Sequence, residues 1–323
     1  MTWLLTGGAG YIGAHVVRAL DRADMDVVVL DDLSTGKRDF VPADVPVVEA
    51  SILDTKQVHK ALTDHDVQGV IHLAALKYAG VSVDEPLHYY QVNIDGTRSM
   101  LAAMAEAGVD RLVFSSSASV YGTPDVDLVT ETTPTRPESP YGESKLASEW
   151  LIADVARADG MRHTSLRYFN VVGSGGDGVY DVNPYGLLPA VMKALTDGRP
   201  PVVNGTDYPT RDGTAERDYI HVVDLAEAHV VAAQRLSEGK GLSPTYNLGR
   251  GEGATVFEML ELVKEASGLD VEPELGPRRP GDPAQIVASP ALAAKELGWT
   301  ARFGYPEMVQ SAWETWRKVA DAH

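Results

Sequence analysis

Tyr141 and Lys145 stand four residues apart in Ser139-Pro140-Tyr141-Gly142-Glu143-Ser144-Lys145, a spacing that puts both on one face of a helix. A phenol can take a proton and return it, and a neighbouring ammonium favours the phenolate. A free tyrosine titrates near pH 10. Working as a base near neutrality requires a shift of up to about three units, or about 4 kcal/mol of differential stabilisation. A close ammonium and a helix N-terminus supply part of that. Taken by itself, the pair also fits a surface tyrosine and lysine on an ordinary helix. A second group alters the balance: the run "RLVFSS" (111–116) continues into Ser117, so Ser115, Ser116 and Ser117 fall at a strand end. A hydroxyl there can share a substrate hydroxyl's proton with Tyr141, while ordinary strand-end capping accounts for at least one of the three.

Such groups need rigid elements to hold them. Ser139 is a good N-cap and Pro140 a good first helical residue, so a helix is predicted to begin at this point with Tyr141 in its first turn. Upstream, short apolar runs such as "WLLT" (3–6), "DVVVLD" (26–31), "VPVVEA" (45–50) and "GVIHLA" (69–74) alternate with amphipathic stretches such as "YIGAHVVRALDRA" (11–23). Alternating strand and helix signals imply parallel βαβ units, whose strands are buried on both faces and lose their period of two. The predicted fold class is therefore α/β, a doubly wound parallel sheet of Rossmann type with a second, smaller mixed α/β lobe. After about residue 170, Gly- and Pro-rich segments separate shorter elements. "RDYIHVVDLAEAHVVAAQRL" reads as a strand followed by a helix. In "TVFEMLELVKEASG", Thr255 and Glu258 have capping-box spacing and Gly268 is a plausible stop.

Directly after the first strand, Gly7, Gly10 and Gly13 are spaced Gly-x-x-Gly-x-x-Gly before the first helix. Glycine permits the tight turn, close approach of backbone to a pyrophosphate, and helix-to-strand packing, while the helix N-terminus offers N–H groups. Asp31 ends the second strand, where a carboxylate accepts from both hydroxyls of an adenosine ribose and repels a 2′-phosphate. NAD is thereby favoured over NADP. Its positive ring beside Tyr141 would add to the bias on the phenol. Lys37 and Arg38, just downstream, are either solvated loop charges or reach the cofactor phosphates.

Asp and Glu number 46 against 28 Lys and Arg, a formal charge of -18. That argues against nucleic acid or an anionic membrane as a general partner. There is no cysteine, which removes disulfides, thiolate metal sites and a cysteine nucleophile. No run approaches a membrane span, and "MTWLLTGGAG" lacks the features of a secretory signal, so a cytoplasmic protein is expected.

With the glycine fingerprint, "FSSSASVYG" and "SPYGESK" in this order, the chain resembles the extended short-chain dehydrogenase/reductase family, and within it the 4-epimerases of UDP-sugars. The resemblance spans nearly the whole chain through "LAALKYAGVSVDEPLHYYQVNIDGT" (73–97), "LRYFNVVG" (166–173), "NGTDYPTRDGTAERDYIHVVDLAEAH" (204–229), "YNLGRG" (246–251) and "PRRPGD" (277–282). It implies reversible inversion at C4 of a UDP-hexose, UDP-glucose against UDP-galactose, through a 4-keto sugar with tightly bound NAD. Other UDP-sugars (N-acetylhexosamine, xylose/arabinose or glucuronate) remain alternatives. By the same resemblance Ser117 and Tyr141 handle the 4-hydroxyl proton, and Lys145 holds the nicotinamide ribose. NAD is implied to lie against Gly7, Gly10, Tyr11, Ile12, Gly13, Asp31 and Asp32 at one end. Ser51, Ile52, Leu73, Ala74, Ala75, Lys77, Asn93, Ser115 and Tyr168 line the rest of its site. The UDP-sugar is implied to meet Lys77, Asn170, Gly186, Leu187, Val203, Arg217, Arg279, Asp282 and Ile286. The cofactor lobe is expected at residues 1–170 with a returning segment at about 216–250, and the substrate lobe at 171–215 and 251–323. A homodimer is also implied. The chain departs from the family at Ser51, where an aspartate is usual, at Gly186, where a polar side chain is usual, and in the loop "GSGGDG" (173–178).

Three rivals are weaker. A 4,6-dehydratase wants an acidic pair after the strand-end hydroxyl, and Ala118-Ser119 follow Ser117. A non-catalytic NAD sensor needs the glycine loop but not the Ser, Tyr and Lys. A metal hydrolase lacks a ligand set, since His221, Asp224 and His229 read as strand and helix surface positions.

Overall fold

The computed structural model describes residues 1–279 and 282–320; Pro280 and Gly281 of the stretch 277–282 lie outside them. The chain begins with β1 (Thr2–Thr6), α1 (Tyr11–Arg22), β2 (Val27–Asp31) and β3 (Val47–Glu49). Next come α2 (Thr55–Asp64), β4 (Val67–His72), α3 (Ala79–Asp84), α4 (Pro86–Tyr90), a π-turn at Gln91–Asp95 and α5 (Gly96–Ala107). β5 (Arg111–Ser115), α6 (Pro140–Asp159) and β6 (Arg162–Tyr168) follow.

The second half contains β7 (Asn170–Val172), α7 (Leu187–Thr196), β8 (Val202–Asn204), β9 (Glu216–Arg217) and β10 (Tyr219–His221). It continues with α8 (Val222–Ser237), β11 (Thr245–Leu248), β12 (Ala254–Thr255) and α9 (Val256–Ser267). β13 (Glu274–Gly276), β14 (Gln285–Ile286), α10 (Ala291–Glu296) and α11 (Tyr305–Ala320) end it. None of the described helices is long and apolar enough to cross a membrane.

Seven strands form one parallel sheet in the order β11-β6-β5-β4-β1-β2-β3. Its order reverses at β1, and the glycine loop leaves the sheet there. Alternate residues of each strand go to opposite faces: Trp3, Leu5 and Val29 join α1 and α8 in one core, while Leu4, Val28 and Leu30 join α2 and α5 in the other. Both sets are apolar, hence the unbroken "WLL" and "VVVL" runs. Each such side chain contributes about 1.5–3 kcal/mol by leaving water.

The smaller lobe is built on β7–β10, β8–β13 and β12–β9–β14 pairings. Its core joins Leu188, Val191 and Met192 of α7 to Met259 and Val263 of α9 and to Met308, Val309 and Trp313 of α11. The chain crosses between lobes more than once: Ala293, Leu297 and Trp299, near α10, pack in the core beneath the large sheet. Thr255 caps α9 with the reciprocal Glu258 bond, and Gly268 ends it at φ 71°, a left-handed conformation that glycine adopts without strain.

One expectation is corrected. His221, Asp224 and His229 are buried, not surface positions. Asp224 accepts from the backbone N–H groups of Arg302 (2.8 Å) and Phe303 (3.1 Å). His229 Nδ1 bonds the Leu225 carbonyl at 2.9 Å, and its Nε2 meets the Ser115 hydroxyl at 2.7 Å. Burial lowers the His221 and His229 pKa values to about 4, so both rings are neutral near pH 7. The Arg302, Phe303 and Ser115 partners that allow this burial lie far away in sequence, and helical periodicity could not reveal them.

Candidate active site

A cleft of about 460 Å³ opens at the carboxyl ends of β1, β2, β4 and β6, the edge where open parallel sheets bind ligands. Gly7, Gly10, Tyr11, Ile12 and Gly13 form one wall, with Asp31, Asp32, Ser51 and Ile52 at its far end. Leu73, Ala74, Ala75 and Lys77 of the β4 exit face them, and Tyr141, Lys145 and Tyr168 close the near end.

Close packing forces the glycines. A Cβ on Gly13 would stand 2.1 Å from the Gly7 carbonyl oxygen, and one on Gly7, at φ 73°, 2.7 Å from the Ala74 nitrogen. Asp31 is fixed by two backbone donors, Ala9 N–H to Oδ2 and Leu33 N–H to Oδ1, both at 2.9 Å. Its burial pushes the carboxyl pKa up while those donors pull it down. Ser34, Thr35, Gly36 and His88 also line the cleft. The first three follow the acidic strand end after Leu33 alone, a Ser-Thr-Gly turn signal that could have located them; nothing local marks His88.

Helix α6 starts as its sequence dictates. Ser139 Oγ accepts the Gly142 N–H at 3.2 Å, and Pro140 is the first helical residue. Tyr141 is 7% exposed, and its backbone N–H donates to Ser82 Oγ at 3.1 Å. Burial raises the phenol pKa, and the Ser117 hydroxyl beside it acts against that rise. Ser117 Oγ accepts the Ser119 N–H at 3.1 Å.

Lys145 lies on the same helical face but turns inward. Its Nζ donates to the Ser115 carbonyl at 2.9 Å and sits 4.9 Å from the centre of the Phe114 ring. Burial lowers its pKa to about 7, against the pull of Glu149. Ser115 lies beneath the cleft rather than lining it.

Asn93 likewise does not line the cleft. From the π-turn, its Oδ1 accepts the Leu76 N–H at 2.8 Å, and its Nδ2 donates to the Leu76 carbonyl and to Ser144 Oγ. It thus pins the β4 exit loop to α6. Lys37 and Arg38 are engaged elsewhere: Lys37 Nζ donates to Tyr180 Oη at 2.6 Å and Arg38 to the Val41 carbonyl at 3.0 Å. Lys77 Nζ is 3.8 Å from Asp181 Oδ1.

On the other lobe, Arg217 and Ile286 are register partners of β9 and β14. Arg217 donates to the Asp282 carboxylate and, at 2.8 Å, to the Glu216 carbonyl. Ile286 packs with Ala118 and Phe169, next to the Ser117 turn. Gly186 is the N-cap of α7, directly followed by Leu187. Asn170 and Arg279 are exposed, while Val203 is buried in the second core.

Residues 3–249 match the NAD dependent epimerase/dehydratase family. A UDP-glucose 4-epimerase of Azospirillum brasilense is 44% identical over 93% of this chain and 87% of its own. One from Corynebacterium glutamicum is 42% identical over 97% and 95%. The solved UDP-glucose 4-epimerase of Stenotrophomonas maltophila, with NAD and formylated UDP-arabinopyranose bound, superposes at TM-score 0.95 and 38% identity over all of both chains. That of Bifidobacterium longum, in complex with NAD+ and UDP, gives 0.92 and 35% over 99% of each.

Proposed function

The chain belongs to the NAD dependent epimerase/dehydratase family, and from that premise we propose that it is an NAD-dependent isomerase interconverting UDP-glucose and UDP-galactose by inversion at C4. The observation that carries this reading is that Tyr141, with Ser117 beside it, and Lys145 close the near end of a cleft walled by the glycine turn, with Asp31 at its far end.

The residues fit NAD. The closely packed turn of Gly7, Gly10 and Gly13 leaves room for a pyrophosphate at the N-terminus of α1. The two Asp31 oxygens each accept only one internal bond and so keep lone pairs for ribose hydroxyls. Bound there, NAD supplies the hydride acceptor and donor for C4 of the sugar. Tyr141, with Ser117 beside it, takes the 4-hydroxyl proton as the 4-keto sugar forms and returns it once the sugar has presented its other face. Lys145 contributes positive charge next to the phenol. Its present bond to the Ser115 carbonyl leaves other ammonium donors for a ribose hydroxyl. Arg217 and Asp282 suit the diphosphate and ribose of UDP, since an arginine fork matches phosphate oxygens.

We assign NAD binding to residues 1–170 with about 216–250, and UDP-sugar binding to 171–215 with 251–323. We also assign a homodimer; Leu87 of α4 and Trp150 of α6, 82% and 61% exposed, are apolar surface available to its interface. An enzyme drawing on NAD and UDP-sugar pools belongs in the cytoplasm.

The test is incubation with UDP-galactose and no added nicotinamide, followed by separation of the sugar nucleotides. UDP-glucose is expected to accumulate to equilibrium. Absence of conversion here and with the N-acetylated, pentose and uronate pairs overturns the proposal.

A further inference from the structure

Lys145 is not the last charge on its helix. One turn further, Glu149 is 7% exposed and on the same side. Its carboxylate is gripped by Arg167 of β6, through Nε to Oε1 at 2.9 Å and through NH2 to Oε2. Ser116 Oγ donates to the same Oε1. Successive residues of the β5 exit are therefore held by successive turns of α6: Lys145 takes the Ser115 carbonyl and Glu149 takes the Ser116 hydroxyl. Ser117 follows immediately. Arg167 carries the lattice on, from NH1 to Tyr121 Oη at 2.9 Å, then from that hydroxyl to Asn247 Oδ1 at 2.7 Å. A buried pair with every polar group satisfied is rigid, whereas one missing partner is costly.

We propose that the Glu149–Arg167 pair is a positioning device for the reaction: it fixes the strand end carrying Ser117, and its Glu149 carboxylate favours the ammonium form of Lys145. The inference rests on the epimerase reading above. Glu149 acts through Lys145 and Ser116 and does not line the cleft.

The other charges and titratable groups around Lys145 do not replace this function. From β4, His72 bonds Thr6 and Thr97 through its two nitrogens and is held neutral by burial, its pKa near 3. From α8, His229 is neutral against Ser115. On α6 and β6, burial raises the pKa values of the Tyr141 and Tyr168 phenols, which disfavours a negative charge on either ring beside Lys145. Tyr121 is also raised, and His163 of β6 is lowered by burial. Glu149 is the anion that opposes the burial of Lys145.

The experiment follows the titration of Lys145 directly. NAD-loaded full-length protein with 13C-labelled lysine is titrated by NMR, the Lys145 signal being identified by its loss in Lys145→Met. Glu149→Gln is expected to lower the Lys145 midpoint by about one pH unit, the size expected of a close opposite charge, whereas Glu149→Asp restores most of it. The alkaline limb of kcat should move with the midpoint, giving about tenfold less activity one unit above it. Should Glu149→Gln fail to fold, the double variant Glu149→Gln/Arg167→Met, which leaves no unpaired charge, must still move the midpoint downward, by less than the single variant because the opposing Arg167 charge has gone with it. An unmoved midpoint in a folded variant overturns the inference. A wild-type protein that does not epimerise overturns the functional reading instead, and leaves the NMR titration to decide this one.

Discussion

Replacing Lys145 by methionine should make the NAD-free fold more stable. Lys145 is 3% exposed, and burial brings its pKa from the ordinary 10.5 to about 7. That difference corresponds to on the order of 5 kcal/mol for holding the ammonium rather than the free amine in this interior. Burial disfavours the ammonium in the NAD-free fold relative to the unfolded chain, so the sign is fixed by linkage. Between about pH 7 and 10.5 the unfolded chain binds a proton that the folded chain does not, and wild-type stability rises with pH across that window. Methionine conserves most of the volume and removes the charge. Losing the bond to the Ser115 carbonyl costs about 1–3 kcal/mol, which leaves a net gain of about 2–4 kcal/mol at pH 6–7. Urea unfolding of NAD-stripped wild type and Lys145→Met, run from pH 6 to 10.5, measures it. The advantage of the variant should be greatest below pH 7 and shrink steadily as pH rises. A variant no more stable than wild type at pH 6, or an advantage that does not depend on pH, refutes the reasoning. The variant should not epimerise, so a stabilised but inactive protein is the expected outcome.

Tyr141→Phe should lower kcat by about 10²–10⁴-fold and leave bound NAD, measured after acid release, unchanged. Gly13→Ala places a methyl 2.1 Å from the Gly7 carbonyl, so the turn must distort; the variant should purify with little or no NAD, a measurement independent of activity. Asp31→Asn must point its NH₂ at either Ala9 N–H or Leu33 N–H, because each carboxylate oxygen now accepts one of them. A loss of about 1–3 kcal/mol in urea unfolding, with weaker NAD retention, is expected.

The most local features could be read from sequence. Ser139, Pro140 and the Thr255/Glu258 pair set their helix starts through bonds within one turn, so a short stretch of sequence contains both partners. The parallel sheet followed from strands apolar on both faces, as with Leu4 and Leu5 in opposite cores. Distant partnerships were hidden. The four-residue spacing put Lys145 on the face of Tyr141, but its ammonium turned to the Ser115 carbonyl, an acceptor 30 residues away. Asn93 was expected at the cofactor and is spent on Leu76 and Ser144. Glu149 gave no signal, because a glutamate followed by an exposed tryptophan reads as helix surface until Arg167 is seen beneath it.

The position of β11 has a consequence for how the protein is made. Its residues 245–248 pair with 165–168 of β6, so the large sheet stays open at that edge until most of the chain has been synthesised. A nascent chain ending before Thr245 would pair β6 with β5 but leave its other edge open, a template for association with another chain. Pairing over so many residues is slow, since loop closure precedes any gain from contact. The lobe built on the large sheet is therefore not a module that can finish folding at the ribosome exit ahead of the rest. Its completion is timed by a segment that emerges only after the first part of the smaller lobe, making late emergence, rather than early helix formation, the step most exposed to aggregation during synthesis.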